Sequence, residues 1–260
     1  MDKEQLLDLY ETQQLTTYQI AEKFAVDRST VCYWLKKYNI KTRSKQAQYE
    51  VNKELKLTPK QIEFLLGTLL GDGHLKILKS GRLAKFLTSH GIKQKEYVEW
   101  KAELLKPLSR PVKEYRTFNK ATKRIYEFCN LFTIATDDLL KLHKLFYQDK
   151  KKVVRAELLK LFTSPFSLAV WYMDDGSLDR KSNRSCLCTD SFSYEEQVTL
   201  QHLLLNNFGL KAKIVKYKKY YRLYFTVKET RKLSNLIRPF VVESLQYKLL
   251  ACAPAGLSSM

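Results

Sequence analysis

The chain has 260 residues, 45% of them hydrophobic, with only 8 Gly and 6 Pro, which excludes a low-complexity chain and predicts about two folded domains. No apolar run reaches the roughly 18 residues of a membrane-spanning helix, and the opening residues MDKEQLLDLYET lack the features of a secretory signal. We therefore expect an intracellular protein, cytoplasmic or organellar, with no membrane partner.

The formal net charge of +19 is concentrated after residue 48, because the first 48 residues carry a net of only +2. Such an excess favours nucleic acid as the partner, with a merely solvated basic surface as the alternative. The five Cys, at 32, 129, 186, 188 and 252, lack the paired spacing of a structural zinc site, so we expect reduced thiols.

The N-terminal residues predict three short helices, over 5–11 and within 16–38. Thr16 and Gln19 form a capping box for the second helix, and Asp27 is placed to cap the third. The last two helices resemble a helix-turn-helix domain, although Ala25 stands in the turn where such domains often have Gly. The free face of the third helix would then meet a DNA major groove through Arg28, Ser29, Thr30, Tyr33 and Lys37. A basic linker at 41–45 follows. A generic three-helix interaction module is the alternative.

From residue 55 the chain repeats one pattern at a spacing of about 103 residues. The first copy opens LTPKQIEFLLGTLLGDGHL and the second opens TSPFSLAVWYMDDGSL. In each copy a capping Thr58 or Ser164 precedes Pro, and an apolar helix then stops at Asp-Gly. Alternating strands and two further helices follow, so each copy predicts an α-β-β-α-β-β-α unit. One face of each sheet should pack on helices, which leaves a free face rich in Lys, Arg and Tyr.

The segments LLGTLLGDG (65–73) and LAVWYMDDG (168–176) resemble the paired motifs of the LAGLIDADG homing endonucleases, and the likeness covers roughly residues 55–250. It is strongest to single-chain, two-repeat members, some of which carry an appended helix-turn-helix domain. The resemblance implies an α+β fold in which two pseudo-symmetric repeats, 55–150 and 151–252, form a DNA-binding saddle after a helix-turn-helix domain at 1–45. It also implies a monomeric, site-specific enzyme that makes metal-dependent double-strand breaks in DNA at a long recognition site.

In this family the two motif helices pack side by side, which requires small residues at the contact. Gly67 and Gly71 lie on one face of the first helix, at positions i and i+4. Val170 and Asp174 occupy the matching places in the second helix. We therefore expect the packing there to depend on Ala169 or on a wider crossing.

The resemblance makes Asp72 and Asp175 the side-chain ligands of divalent cations, with the backbone carbonyls of Gly71 and Asp174 as supplementary ligands. Mg²⁺ is the expected ion, and Mn²⁺ is expected to substitute for it. Two close carboxylates repel each other unless cations lie between them, and each also stands at the negative end of a helix. Hard divalent cations supply the activated water and the stabilised leaving oxygen that phosphodiester hydrolysis needs.

The family also places two lysines beside the metals, one before the second motif and one near the C-terminus. The segment KKKVVR (150–155) matches the first and indicates Lys152, although Arg155 replaces the usual Pro. The segment YKL (247–249) matches the second and indicates Lys248. For both, an ordinary surface lysine is the alternative.

Basic side chains along the strands and their turns are the candidates for contacts to phosphates and base edges. In the first repeat they are Lys76, Lys79, Arg82, Lys85, Lys113, Arg116, Lys123 and Arg124. In the second they are Arg180, Lys181, Arg184, Lys213, Lys216, Lys218, Lys219 and Arg222.

Two other functions remain open from the residues. One is an RNA maturase that assists intron splicing, with intron RNA as its partner. The other is a non-catalytic DNA-binding regulator built on the same fold. The presence of both Asp72 and Asp175 disfavours the regulator, because members without catalysis have lost the acidic residues of the motifs.

Overall fold

The computed structural model describes residues 1–43, 52 and 54–251, so the predicted linker residues 44 and 45 and Cys252 lie outside it. Three helical segments form the N-terminal part: α1 (Lys3–Leu7), which continues as a π-helical turn (Asp8–Thr12), α2 (Thr17–Lys23) and α3 (Arg28–Lys37). The Thr16–Gln19 capping box and the Asp27 cap are both present. Ala25 adopts a left-handed conformation with φ of 50°, so the turn that commonly uses Gly is made here with Ala.

This part of the chain has a hydrophobic core of its own. Its buried members come from all three helical segments and the residues after α3: Leu6, Leu9, Tyr10, Ile20, Ala21, Val31, Leu35 and Ile40. A second, larger core covers residues between Leu57 and Leu249 and is shared by both repeats.

The first repeat follows the predicted order of elements. They are α4 (Pro59–Leu70), β1 (His74–Ile77), β2 (Ala84–Gly91), α5 (Lys95–Leu104), β3 (Lys113–Asn119), β4 (Arg124–Phe132) and α6 (Asp137–Phe146). The strands form an antiparallel sheet in the order β1-β2-β4-β3. Buried residues such as Leu75, Phe86 and Cys129 mark the face that packs on the helices, and we call the opposite face of each sheet the open face.

A short connection between the repeats was not expected from the sequence. It begins with a hairpin of two short strands, β5 (Tyr147–Gln148) and β6 (Lys151–Lys152), and continues to a single helical turn, α7 (Leu158–Leu161). Asp149 and Lys150 between the strands both have positive φ, of 47° and 65°, as a tight hairpin turn requires. This turn fixes the direction of β6 and therefore the position of Lys152.

The second repeat has the same topology as the first. Its elements are α8 (Pro165–Asp175), β7 (Gly176–Asp179), β8 (Arg184–Leu187), α9 (Tyr194–Phe208), β9 (Ala212–Tyr217), β10 (Tyr220–Phe225) and α10 (Val227–Ile237), followed by 3₁₀ turns at Arg238–Phe240 and Glu243–Lys248. Its sheet order, β7-β8-β10-β9, repeats that of the first sheet. The predicted duplication of an α-β-β-α-β-β-α unit is therefore present.

Helix α8 packs directly on α4 at Gly67 and at Gly71, the residue that caps α4. A Cβ added to Gly67 would lie 2.3 Å from the carbonyl oxygen of Ser167 and 2.8 Å from the Cβ of Val170. A Cβ added to Gly71 would lie 2.5 Å from the Cβ of Asp174. The expected wider crossing is therefore wrong, while a contribution of Ala169, which is fully buried, stays a prediction. The glycines of α4 provide enough room for the larger Val170 and Asp174 of α8.

In the described part of the chain, none of the helices has the length and apolar character needed to span a membrane.

The glycine contact yields a stability prediction. Gly67→Ala should destabilise the protein by about 1–3 kcal/mol, because its methyl group would meet a backbone carbonyl that cannot move without separating the helices. The matched control is Gly91→Ala, where nothing lies within 4 Å of the added Cβ and φ is −60°. Urea unfolding of both variants measures the difference. Equal stability of the two variants would contradict the close packing of α4 on α8.

Candidate active site

The two motif aspartates stand at the ends of the paired helices. Helix α4 ends at Leu70, and its last turn is closed by the amides of Gly71 and Gly73, which donate to the carbonyl oxygen of Thr68 at 3.1 and 2.7 Å. Asp72 lies in that turn. Helix α8 instead continues through Asp175, whose carbonyl oxygen accepts a hydrogen bond of 2.9 Å from the amide of Cys188. The two helices therefore end differently, although both bring an aspartate to the same place.

Asp175 shows the electrostatic consequence of this arrangement. Burial and then the charges of Asp72 and Asp174 raise the pKa of Asp175 to about 8, against the opposing effect of Lys152. A buried carboxyl beside two other carboxylates is held partly protonated near neutral pH unless a further cation approaches. A cation that approached these three acidic groups would therefore favour the ionised form of Asp175.

Two lysines lie against the ends of these helices. The Nζ of Lys152 donates to the carbonyl oxygen of Gly71 at 2.6 Å, and the Nζ of Lys248 donates to that of Met173 at 2.6 Å and that of Asp174 at 3.4 Å. Burial lowers the pKa of both lysines, against the raising effect of the surrounding aspartates. Each ammonium group thus stands at the carbonyl end of one motif helix, where positive charge is favoured.

The side chain of Asp174 takes part in a buried network. Its Oδ1 accepts from the Nζ of Lys101 at 2.6 Å and from the hydroxyl of Tyr97 at 2.8 Å. Its Oδ2 accepts from the hydroxyl of Thr68 at 2.7 Å and from the amide of Asp72 at 3.3 Å. Burial alone would raise the pKa of Asp174, but Lys101 and the hydrogen bonds outweigh burial and lower it.

His90 connects this network to Asp72. Its Nε2 accepts from the Nζ of Lys101 at 3.1 Å, which leaves the proton on Nδ1, and Nδ1 donates to the Oε1 of Gln94 at 3.0 Å. Burial, followed by the charge of Lys101, lowers the pKa of His90. The Oδ2 of Asp72 lies 3.8 Å from the same Nδ1.

Three of these side chains could hold a cation together. Asp72, His90 and Asp174 each place one potential ligand atom within 4.8 Å of the others. However, both oxygens of Asp174 already accept two hydrogen bonds each, and its charge is balanced by Lys101. Asp72, with a side chain 43% exposed, and Asp175, whose ionised form a cation would favour, are the better candidates for cation ligands. This oxygen-rich set suits a hard divalent cation.

The strand registers place most of the predicted DNA-contacting residues on the open faces or at their rims. Lys76, Lys85, Lys113 and Arg124 lie on the open face of the first sheet, and Arg184, Lys213 and Arg222 lie on that of the second. Lys79, Arg82, Lys123, Arg180, Lys181, Lys218 and Lys219 lie in the turns between strands.

Two of the residues predicted to contact DNA lie on the helix side of their sheets and not on the open face. Arg116 pairs in register with Glu127, on the face that buries Cys129, and its Nε lies 2.6 Å from a Glu127 oxygen. Lys216 shares its face with the buried Leu223. The placement of both residues on the helix side follows from the alternation of side chains along a strand, because neighbouring residues of a strand point to opposite faces of the sheet.

Two other predicted contacts have partners within the chain. Arg222 donates to both oxygens of Asp190 at 2.6 Å and lies over the ring of Tyr217 at 3.9 Å. Arg28 donates through Nε to Thr17 at 3.1 Å. In the same helix, Ser29, Tyr33 and Lys37 are exposed and Thr30 is half-buried. The proposed reading face of α3 is therefore available to a partner.

Sequence reasoning missed the buried residues His90, Tyr97 and Lys101. A signal existed for Lys101, because it lies four residues after Tyr97 and four before the buried Leu105, on the apolar side of α5. A lysine on the buried face of a helix requires an anionic partner nearby. No local pattern indicates that this partner is Asp174, 73 residues away.

The comparisons with known proteins agree with this geometry. A model described as the LAGLIDADG DNA endonuclease family matches residues 62–233. The DNA endonuclease I-ChuI of Chlamydomonas applanata is 30% identical over 216 residues, which cover 75% of this chain and 96% of that protein. The structure of the homing endonuclease I-WcaI bound to its DNA recognition sequence aligns with a TM-score of 0.74 and 25% identity, over 82% of this chain and 96% of that one. This chain therefore belongs to the LAGLIDADG DNA endonuclease family, which confirms the resemblance found in its sequence.

Relatives of a different description also match. The RecA protein of Mycobacterium shimoidei is 31% identical over 209 residues, which cover 75% of this chain and 47% of that protein. The chain thus spans about half the length of these curated relatives.

The raised pKa of Asp175 predicts how stability changes with pH in the metal-free protein. A carboxyl whose folded pKa is raised to about 8 binds more protons in the folded state, so its ionisation destabilises the fold as pH rises from about 4 to 8. Asp175→Asn removes this penalty. The variant should therefore melt higher than the parent at pH 8, with a gap that shrinks towards pH 4. A gap that is constant across pH, measured by thermal melts in EDTA, would contradict the shifted pKa.

Proposed function

We propose that this protein is a homing endonuclease that makes site-specific, metal-dependent double-strand breaks in DNA. The observation that supports this most is the pairing of Asp72 and Asp175 at the ends of two packed helices, each with a lysine on the adjacent carbonyls. Two scissile phosphates need two sets of acidic and basic groups, and the duplicated fold supplies one set from each repeat.

Asp72 and Asp175 would hold divalent cations, Mg²⁺ by preference. The carbonyls of Gly71 and Asp174, the expected supplementary ligands, accept from Lys152 and Lys248 in the metal-free protein and would exchange those hydrogen bonds for the cation. Bound there, the cations supply an activated water and stabilise the leaving oxygen. Lys152 and Lys248 would balance the negative charge of the DNA phosphates and orient water through their ammonium groups. Their burial matters for this role, because a partly desolvated ammonium interacts more strongly with a nearby anion.

Double-stranded DNA would bind across the open faces of the two sheets. Basic residues there and in the adjoining turns would contact phosphates, which provide affinity, and base edges, which provide specificity. The exposed residues of α3 would contact the DNA outside the cleavage site and lengthen the recognised sequence.

The decisive test begins with selection of cleaved sequences from a random DNA library in the presence of Mg²⁺. On a selected duplex, Asp72→Asn and Asp175→Asn should each reduce cleavage on the order of 10³-fold or more and leave binding largely intact, because they remove a cation ligand and not a DNA contact. The matched control is Asp137→Asn on α6, which should cut like the parent. Cleavage by either motif variant at the parental rate would contradict the assignment.

The role of α3 is tested separately. Tyr33→Ala combined with Lys37→Ala should weaken binding to the selected duplex about tenfold while the cleavage position stays the same, since these exposed side chains contribute only to affinity. Lys3→Ala on α1 serves as the control for loss of a positive charge in the same part of the chain. Electrophoretic mobility shifts and mapping of the cut ends measure both properties. Unchanged affinity in the double variant would show that α3 is not a DNA-reading helix.

A further inference from the structure

The ion pair of Lys101 and Asp174 is fully buried, with both side chains 0% exposed and 2.6 Å between Nζ and Oδ1. Removing two charges from water is costly, and such a pair seldom increases stability over an apolar pair of similar size. Its position suggests another use, because it joins α5 of the first repeat to α8 of the second, directly beneath Asp72.

The pair holds the backbone around Asp72 through defined contacts. The Oδ2 of Asp174 accepts from the amide of Asp72 at 3.3 Å and from the hydroxyl of Thr68 at 2.7 Å. The carbonyl of that same Thr68 closes the turn that contains Asp72. Lys101 also donates to Thr68 at 3.3 Å and to His90 at 3.1 Å, and the ring of His90 lies beside the Asp72 carboxylate. The turn of Asp72 is therefore held by a network of fixed dipoles and charges.

Among the described residues of the second repeat, no buried ion pair holds the motif aspartate in this way, and the buried network there is neutral and joins Gln197 to Thr189 and to the carbonyl oxygen of Tyr221. Asp175 belongs to α8 itself and is held by the amide of Cys188, which donates to its carbonyl oxygen at 2.9 Å. Helix α9, the counterpart of α5, buries Gln197, Leu200, Leu203 and Leu204, none of which is charged. The position of Gly71 in the first motif matches that of Asp174 in the second, so the carboxylate that completes the network exists in only one motif.

We propose that Lys101 and Asp174 are positioning residues that hold Asp72, and that cleavage of one of the two DNA strands depends on them more than cleavage of the other. The proposal rests on the endonuclease function proposed above. It differs from a role in stability alone, because a structural defect in the shared core would slow both strands together.

The test uses a double variant, Lys101→Met with Asp174→Asn, which removes both charges, keeps similar side-chain sizes and leaves no buried charge unpaired. The substrate is a duplex from the library selection, labelled on either strand, so that the two nicking rates are measured separately in Mg²⁺. The control, Lys141→Met with Asp137→Asn, makes the same chemical changes in a surface pair whose Nζ–Oδ2 distance is 3.0 Å.

The double variant should remain folded and bind the duplex. One strand should be cut about ten- to a hundredfold more slowly, as misplacement of a catalytic group by a fraction of an ångström predicts, while the other strand keeps a rate within about twofold of the parent. Nicked circles should therefore accumulate from a supercoiled plasmid. The control should retain the parental ratio of the two rates.

A ratio of strand rates that stays at the parental value, however much total activity falls, overturns the proposal. If the double variant does not fold, the single variant Tyr97→Phe tests the same proposal. It removes only the 2.8 Å hydrogen bond to Asp174 Oδ1 and leaves both charges in place. We expect it to change the ratio about fivefold. If the parent cuts neither strand, the endonuclease function itself is wrong, and the positioning role falls with it.

Discussion

The close contact between α4 and α8 is the constraint on which the rest of the structure depends. Gly67 and Gly71 let the backbones approach until Ser167, Val170 and Asp174 fill the space that side chains would otherwise occupy. This approach brings the two helix ends together and with them Asp72 and Asp175. It also joins two repeats that have separate sheets into one hydrophobic core. Fold stability and the geometry of the candidate site thus depend on the same contact.

The same contact concentrates negative charge at the ends of the two helices, which is electrostatically unfavourable. Three aspartates meet where the carbonyl ends of two helices also point, and burial further disfavours the ionised form of Asp175. The chain offsets part of that charge with Lys101, Lys152 and Lys248, each of which contacts a carboxylate or carbonyl oxygen there. Asp175 keeps its raised pKa despite them, so a further cation beside its carboxyl would favour the ionised form.

The pseudo-symmetry of the repeats is incomplete at the site. The two sheets share one strand order, but only the first repeat supplies Lys101 and His90, and only the second supplies the extra carboxylate of Asp174. Once two repeats are joined in one chain, each half can acquire different residues without duplicating the change in the other. An asymmetric site follows naturally from this arrangement, and it suits a DNA target whose two halves differ in sequence.

The sequence alone determined the duplicated pattern and the ends of the motif helices within a few residues, because these depend on local capping and on apolar periodicity. Through the family resemblance it also predicted Asp72, Asp175, Lys152 and Lys248 as site residues, and the structure brings these four to the ends of the two motif helices. The tertiary structure alone decided which basic residues share a sheet face, since Arg116 and Lys216 fall on the helix side through strand register. It also decided that Asp174 would pair with Lys101. Such a contact joins residues 73 positions apart, and no local pattern encodes which distant partner satisfies a buried charge.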